Sequence, residues 1–315
     1  MSQGDHTSTG APEISVVIPI FNEEPNLREL HQRIIAALDG MGRTFEIVSV
    51  DDGSSDGSLA TLKAIRAEEP RVRIVQLARN FGQGPATYAG FQYVRGSIVC
   101  MIDADLQNPP EELPKLIAKI DEGYDCASGK RTGRHESFTR RLGSRAINAI
   151  VRATTRTTVQ DLGCAMKALR REVVELLVRF THHSRYLPVD IAWLGVRMIE
   201  VDVAQHERTV GESKYGPLKL IRTTFDLVTG ITSAPLQFFS PLGFTFAFIG
   251  FLMALRVLYV RFTQGDINQL SAVVAAFFVL SGVQLIATGL MCEYIARIYI
   301  EVQNRPYFVV KDVDG

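Results

Sequence analysis

Apolar positions follow two rhythms over the first 130 residues and a third after residue 226. Short β-branched runs, ISVVIPI at 14–20, FEIVSV at 45–50, VRIVQL at 72–77 and IVCMI at 98–102, each stop abruptly in polar residues. Between them the spacing turns helical, most clearly at 25–38, where Leu27, Leu30, Ile34, Ile35 and Leu38 share one face. Further helices are expected to about residue 68 and residue 94, and a fifth strand at 124–128. Continuous apolar runs of this length make strands buried on both faces. Repeated strand-helix units imply a parallel sheet covered by helices.

The third rhythm is uninterrupted apolarity. Residues 227–255 and 267–292 contain no Asp, Glu, Lys or Arg, and roughly 20 apolar residues suffice to cross a bilayer. Pro235 and Pro241 punctuate the first stretch, which places the expected spans at about 242–260 and 271–291, with Arg256 able to snorkel to the surface. The expected plan is a flexible tail at 1–12, an α/β domain at 13–232, two membrane helices within 233–300, and a tail at 301–315. Leu218, Ile221, Phe225 and Val228 recur at helical spacing near the end of the α/β domain, suggesting a juxtamembrane helix over 214–232. A hairpin of two spans returns the tail to the side of the α/β domain.

Composition narrows the partners. Lys plus Arg equals Asp plus Glu at 34 each, so the formal net charge is +0, and no global field argues for nucleic acid. The polar first twelve residues lack the regions of a signal peptide, so the α/β domain is expected in the cytoplasm. Cys100, Cys126, Cys164 and Cys292 show no paired spacing and read as reduced thiols.

Candidate chemistry sits where the strands stop. Asp103-Ala104-Asp105-Leu106-Gln107 follows the fourth run, and ligands in open α/β sheets bind beyond the carboxyl ends of strands. Its oxygen donors suit Mg2+ or Mn2+. Glu23, Asp51, Asp52, Arg79, Asp103 and Asp105 all follow strand runs, so they are expected to converge on one rim able to hold a base, a ribose and a metal diphosphate. The dinucleotide fingerprint G-x-G-x-x-G is absent after the first strand, which disfavours hydride chemistry. Further on come a basic segment at 137–145, a polar turn Asp161-Leu162-Gly163-Cys164 ahead of a helix, and QHERTVGESKY at 205–215, which reads as a lid.

SVVIPIFNEE, VDDGSSDGS, ARNFGQ, DADLQNPPEE, RRLGSR and HERTVGESKY, followed by paired apolar spans, resemble in order and spacing the family 2 glycosyltransferases of GT-A fold. Within them the resemblance is to the polyprenyl-phosphate transferases: dolichyl-phosphate mannose synthase, bactoprenol glucosyltransferase and undecaprenyl-phosphate formamidoarabinose transferase. DLQNPPEE with DLGC is most similar to the last. The resemblance implies a Rossmann-like parallel or mixed sheet followed by a two-helix membrane hairpin. It also implies nucleotide contacts at Pro19, Glu23, Asp51, Asp52, Arg79 and Asp103, a metal at Asp105 and Gln107, and an acceptor phosphate at Arg131, Arg140, Ser144 and Arg208. Asp105 and Asp161 are the implied catalytic residues. The mannose synthases carry an acid-x-x-Ser-Gly turn where this chain has DLGC, leaving Asp161 as either base or positioning group.

The function so implied is inverting, metal-dependent sugar transfer from a nucleotide sugar, expected to be UDP-linked, to a polyprenyl phosphate. It would serve cell-envelope glycan or lipopolysaccharide modification. The expected setting is the inner membrane, multi-pass, with both termini cytoplasmic and a homo-oligomer such as a tetramer. Two other readings compete. A processive polysaccharide synthase would need more than two spans and a Gln-x-x-Arg-Trp motif, absent here because the sole Trp, Trp193, lies in DIAWLG. A non-catalytic nucleotide-binding protein would be expected to have lost part of the acid set.

Overall fold

The computed structural model describes residues 10–131, 161, 163–180, 186–205, 269–303 and 305–315, with isolated helical positions between 245 and 263. The chain divides into two compact units, residues 1–220 with 306–315, and residues 221–305.

The first unit is built on a mixed eight-stranded sheet. Its strands are β1 (Ile14–Ile20), β2 (Phe45–Asp51), β3 (Val72–Leu77), β4 (Ile98–Met101), β5 (Cys126–Arg131), β6 (Lys167–Arg170), β7 (Met198–Val203) and β8 (Val310–Asp314), in the order β7-β5-β6-β4-β1-β2-β3-β8. β1 to β4 are the expected parallel core, in register Ile14↔Phe45, Ile47↔Val72 and Ile14↔Ile98. Two strands depart from it. β6 inserts antiparallel between β4 and β5, and β8 adds antiparallel to the β3 edge. The polar turn at 161–164 therefore leads into a strand, with the expected helix only after it.

Alternation along the strands feeds two cores. Ile14, Val16, Ile18 and Ile20 meet Leu27, Leu30 and Ile34 of helix α1 (Glu24–Asp39), with Leu62 of α2 (Ser58–Glu68) and Leu116 of α4 (Leu113–Asp121) in the same layer. Val17, Val48 and Val75 face the opposite way, toward Tyr88 and Phe91 of α3 (Gln83–Tyr93), Val174 of α5 (Arg171–Val178) and Ile191 of α6 (Leu187–Trp193). Each fully buried side chain of this kind stabilises by about 1.5–3 kcal/mol, so the helix-sheet-helix sandwich rests mainly on these two layers. Gly90 lets α3 approach the sheet closely: a Cβ there would lie 2.4 Å from Val17 Cγ1.

The second unit contains α7 (Gln269–Val302). Its stretch Leu280–Val302 is long and apolar enough to cross a membrane. The expected span at 242–260 and the juxtamembrane helix at 214–232 lie outside the described residues apart from isolated positions.

Candidate active site

Strand order reverses between β1 and β4, the position in open α/β sheets where ligands bind beyond the strand ends. β1 is interior and yet carries Pro19, which has no N–H to give. The β1–β4 ladder ends at Val17↔Met101, with a last bond from Ile102 N to Val17 O, so Pro19 lies beyond the paired stretch on that side. The two strands part at this point.

Around the parting, side chains lace the loops into one rim. Asn22 Oδ1 accepts from Ser55 N at 2.8 Å, Glu23 N donates to Ser58 Oγ at 3.1 Å, and Asp56 Oδ1 accepts from Ser58 N at 3.0 Å. Glu23 Oε2 accepts from Asn26 Nδ2 at 2.7 Å. Gly53 sits at φ +67°, and a Cβ there would lie 2.6 Å from the Arg79 carbonyl carbon, so only glycine fits between the β2 and β3 loops.

The adjacent acids of the β2 end divide their work. Asp52 Oδ1 and Oδ2 accept from the backbone N–H groups of Phe81 and Gly82 at 2.7 and 2.8 Å, holding the β3 loop. Burial raises its carboxyl above the ordinary range despite those bonds. Asp51 is 1% exposed; its Oδ1 accepts from Ser54 N at 3.2 Å, while Oδ2 has no partner among the described residues. A buried carboxylate oxygen left open is costly unless a ligand donates to it. Arg79 lies on the surface with its guanidinium 4.1 Å from the Phe81 ring centroid.

The cluster after β4 is tightly wound. Asp105 Oδ1 accepts from Gln107 N at 3.1 Å and Oδ2 from Gln107 Nε2 at 2.5 Å, across Leu106, whose φ of +58° is left-handed for a buried branched residue. Such a conformation costs about 1–3 kcal/mol and is retained where the surroundings enforce it. Asp103 Oδ1 accepts from Gln83 Nε2 at 2.5 Å. Desolvation, with the neighbouring Asp105 charge, pushes the half-buried Asp103 carboxyl up to about 7. Among the described residues no group of three His, Cys, Asp or Glu side chains could hold a metal by itself. Asp103, Asp105 and Gln107 nevertheless offer the hard oxygens from which Mg2+ is held when phosphates and water complete its shell.

Arg131 ends β5 and is paired with Asp161. Nε donates to Oδ2 at 2.8 Å, Nη2 to Oδ1 at 2.7 Å and the Arg131 backbone N–H to Oδ2 at 3.2 Å, a bidentate arrangement. Burial favours the neutral acid, but the Arg131 bonds and charge outweigh it and hold Asp161 below the usual carboxylate range. The sequence reading assigned these two residues to different tasks, and the structure brings them together. Arg140, Ser144 and Arg208 lie outside the described residues, as do the basic segment 137–145 and all but Gln205 of the expected lid. Gln205 Nε2 donates to Gln107 Oε1 at 3.3 Å.

One group escaped the sequence reading. Lys167 is 2% exposed, donating through Nζ to Ser128 Oγ and to the Cys164 carbonyl. A single Lys in KALR reads as a surface residue; only its partners across the sheet identify it as interior.

Comparison with known proteins places this geometry. The description "Glycosyl transferase family 2" matches residues 15–177, spanning every strand end described except those of β7 and β8. The chain belongs to that family. It is 41% identical over 304 residues to the undecaprenyl-phosphate 4-deoxy-4-formamido-L-arabinose transferase of Edwardsiella ictaluri, covering 95% of this chain and 94% of that one. It is 40% identical to the protein of the same name from Shewanella sediminis, covering 95% and 92%. Among solved structures, glucosyl-3-phosphoglycerate synthase from Mycobacterium tuberculosis, crystallised with Mn2+, UDP and phosphoglyceric acid, superposes with a TM-score of 0.53 at 22% identity over 70% of this chain and 78% of that one. The protein is a family 2 glycosyltransferase with a GT-A-like mixed sheet.

Proposed function

We propose that this glycosyltransferase moves a sugar from a UDP-sugar to undecaprenyl phosphate, with inversion and with Mg2+ or Mn2+, for lipopolysaccharide modification at the cytoplasmic membrane face. One observation supports the reading: the buried Asp51 Oδ2, without a partner among the described residues, lies at the same carboxyl end of the parallel strands as the Asp103-Asp105-Gln107 cluster. An acceptor oxygen for a base N–H and hard oxygens for a metal diphosphate on one rim are what a nucleoside diphosphate sugar needs. The names of relatives at 40% and 41% identity make UDP-4-deoxy-4-formamido-L-arabinose the first donor to test.

In this reading Asp51 takes the uracil imino N–H, Asp52 fixes the β3 loop against which the base lies, and Arg79 covers it. Asp103 faces the ribose and metal side, and Asp105 with Gln107 holds the metal. A bound divalent ion would neutralise the diphosphate as it leaves. The acceptor needs no strong base. With a second pKa of ~6 a phosphate monoester is mostly dianionic at neutral pH, so positioning supplies much of the rate. Asp161, kept weakly basic by Arg131, orients this wall of the site. Arg131, Arg140, Ser144 and Arg208 are proposed to receive the lipid phosphate, by analogy with the family.

The same reading places both flanks of the helical unit on one side of the membrane, with an even number of crossings between them; the pairing of β8, which follows that unit in the chain, with β3, which precedes it, supports this. A hairpin of α7 with a helix at 242–260 is the simplest arrangement, and the chain is proposed to assemble as a homo-oligomer such as a tetramer.

Incubating the full chain with the formamido nucleotide, undecaprenyl phosphate and Mg2+ is expected to give a lipid-linked sugar of inverted anomeric configuration. A retained configuration, or no product from this donor or a panel of UDP-hexoses, would contradict the proposal.

A further inference from the structure

A cavity of about 330 Å3 opens beside Asp103, walled by Gln83, Tyr88, Cys164, Lys167 and Tyr186 among others, a size typical of small-ligand sites. Most polar groups on these walls are engaged. The Tyr88 hydroxyl donates to Asp190 Oδ2 at 2.6 Å, and the Gln83 amide is bound to Asp103. Lys167 differs. An ammonium carries three N–H donors; two are taken by Ser128 Oγ and the Cys164 carbonyl, and among the described residues no acceptor takes the third. Register pairing with Met101 on one side and Ser128 on the other fixes Lys167 on a rigid strand rather than a loop. Burying an ammonium is expensive, and the structure of the sheet does not require one here, since the neighbouring Met101 and Leu169 of this layer are apolar.

We propose, resting on the donor reading above, that this cavity receives the sugar of the donor and that Lys167 selects it. Its third N–H takes an oxygen acceptor on the sugar, and its fixed positive charge excludes sugars bearing an ammonium group. The cavity shares Asp103 with the cluster that faces the diphosphate, so whatever is attached to that diphosphate enters it. A charge-assisted bond in a partly desolvated site favours a neutral carbonyl or hydroxyl substituent. Two cations a few ångströms apart in the same site repel by more than they would in water.

The test is calorimetric, on the full chain in nanodiscs with Mg2+, titrating UDP, UDP-4-deoxy-4-formamido-L-arabinose and its 4-amino counterpart. Wild type is expected to bind the formamido nucleotide about tenfold or more tighter than the amino one. Lys167→Gln keeps amide N–H donors for Ser128 and the Cys164 carbonyl but carries no charge; Lys167→Met removes both features. In each, UDP affinity is expected to stay within about twofold while the preference for formamido over amino collapses, and Lys167→Arg should keep rejecting the amine. Thermal melts of all three verify folding, and the Gln and Arg variants decide the matter if Met unfolds. An unchanged preference in Lys167→Gln overturns the proposal. So does a parallel loss of UDP and sugar-nucleotide affinity, which would mean that Lys167 acts only by balancing Asp103. If wild type binds the formamido nucleotide no better than UDP, the cavity assignment falls while the transfer assay still judges the donor reading separately.

Discussion

At the scale of single residues, the candidate site combines groups held for structure with one, Asp51 Oδ2, that has no partner among the described residues. Asp103 is the clearest example of the tension, because its carboxyl rises from an ordinary 3.8 to about 7. Between those values the folded protein holds a proton that the unfolded chain releases, so this residue's contribution to stability falls as pH rises from about 4 to about 7. Asp103→Asn removes the effect. Its melting temperature is expected to gain on wild type progressively across that interval and then level off, measured without metal or nucleotide; superimposable pH–stability curves would contradict this. The Arg131–Asp161 pair gives a second prediction. Removing one partner strands a half-buried charge, so Arg131→Ala should destabilise by on the order of 2 kcal/mol in urea titration. Arg131→Ala with Asp161→Ala should cost less than the sum of the single changes; strict additivity would show that the pair is incidental.

Single residues also mark what could and could not be read from the chain. The positions of Asp51, Asp103, Asp105 and Gln107 at or just past the ends of β2 and β4 were legible because they follow apolar runs, and a strand end is a place in the fold. Lys167 and the pairing of Arg131 with Asp161 were not. They depend on contacts 30 or more residues apart in sequence, which no local spacing encodes.

At the scale of elements, β1 to β4 and the helices between them were written in the hydrophobic pattern, because strands buried on both faces must be apolar throughout. β6 and β8 were hidden for complementary reasons. β6 is four residues long with a lysine inside, and β8, VKDVD, is an edge strand whose charges face solvent. β8 nonetheless covers the β3 edge, and Tyr307 just before it stacks edge-on against Tyr88 at 5.9 Å. Deleting 307–315 is expected to lower the melting temperature by several degrees and promote aggregation through the bared edge. An unchanged, monodisperse melt would show that β8 contributes nothing.

At the scale of the whole molecule, an α/β unit and a helical unit are joined so that the chain leaves the sheet and later comes back to it. Reporter fusions at the two termini are therefore expected to sit on the same side of the membrane, and opposite sides would contradict an even number of crossings. The apolar stretch that forms α7 was legible from composition alone; the return of the tail into the sheet was not, since it needs the partner strand β3. The central claim is that the acid cluster at the parting of β1 and β4 drives metal-dependent sugar transfer to a lipid phosphate. Its most direct test is the initial rate of lipid-linked sugar formation by wild type and Asp105→Asn across a Mg2+ titration, starting in EDTA. The account predicts no rate in EDTA, saturable activation of wild type, and loss of about 100-fold or more in a folded Asp105→Asn protein. Transfer in EDTA, or an Asp105→Asn rate above half that of wild type, would contradict it.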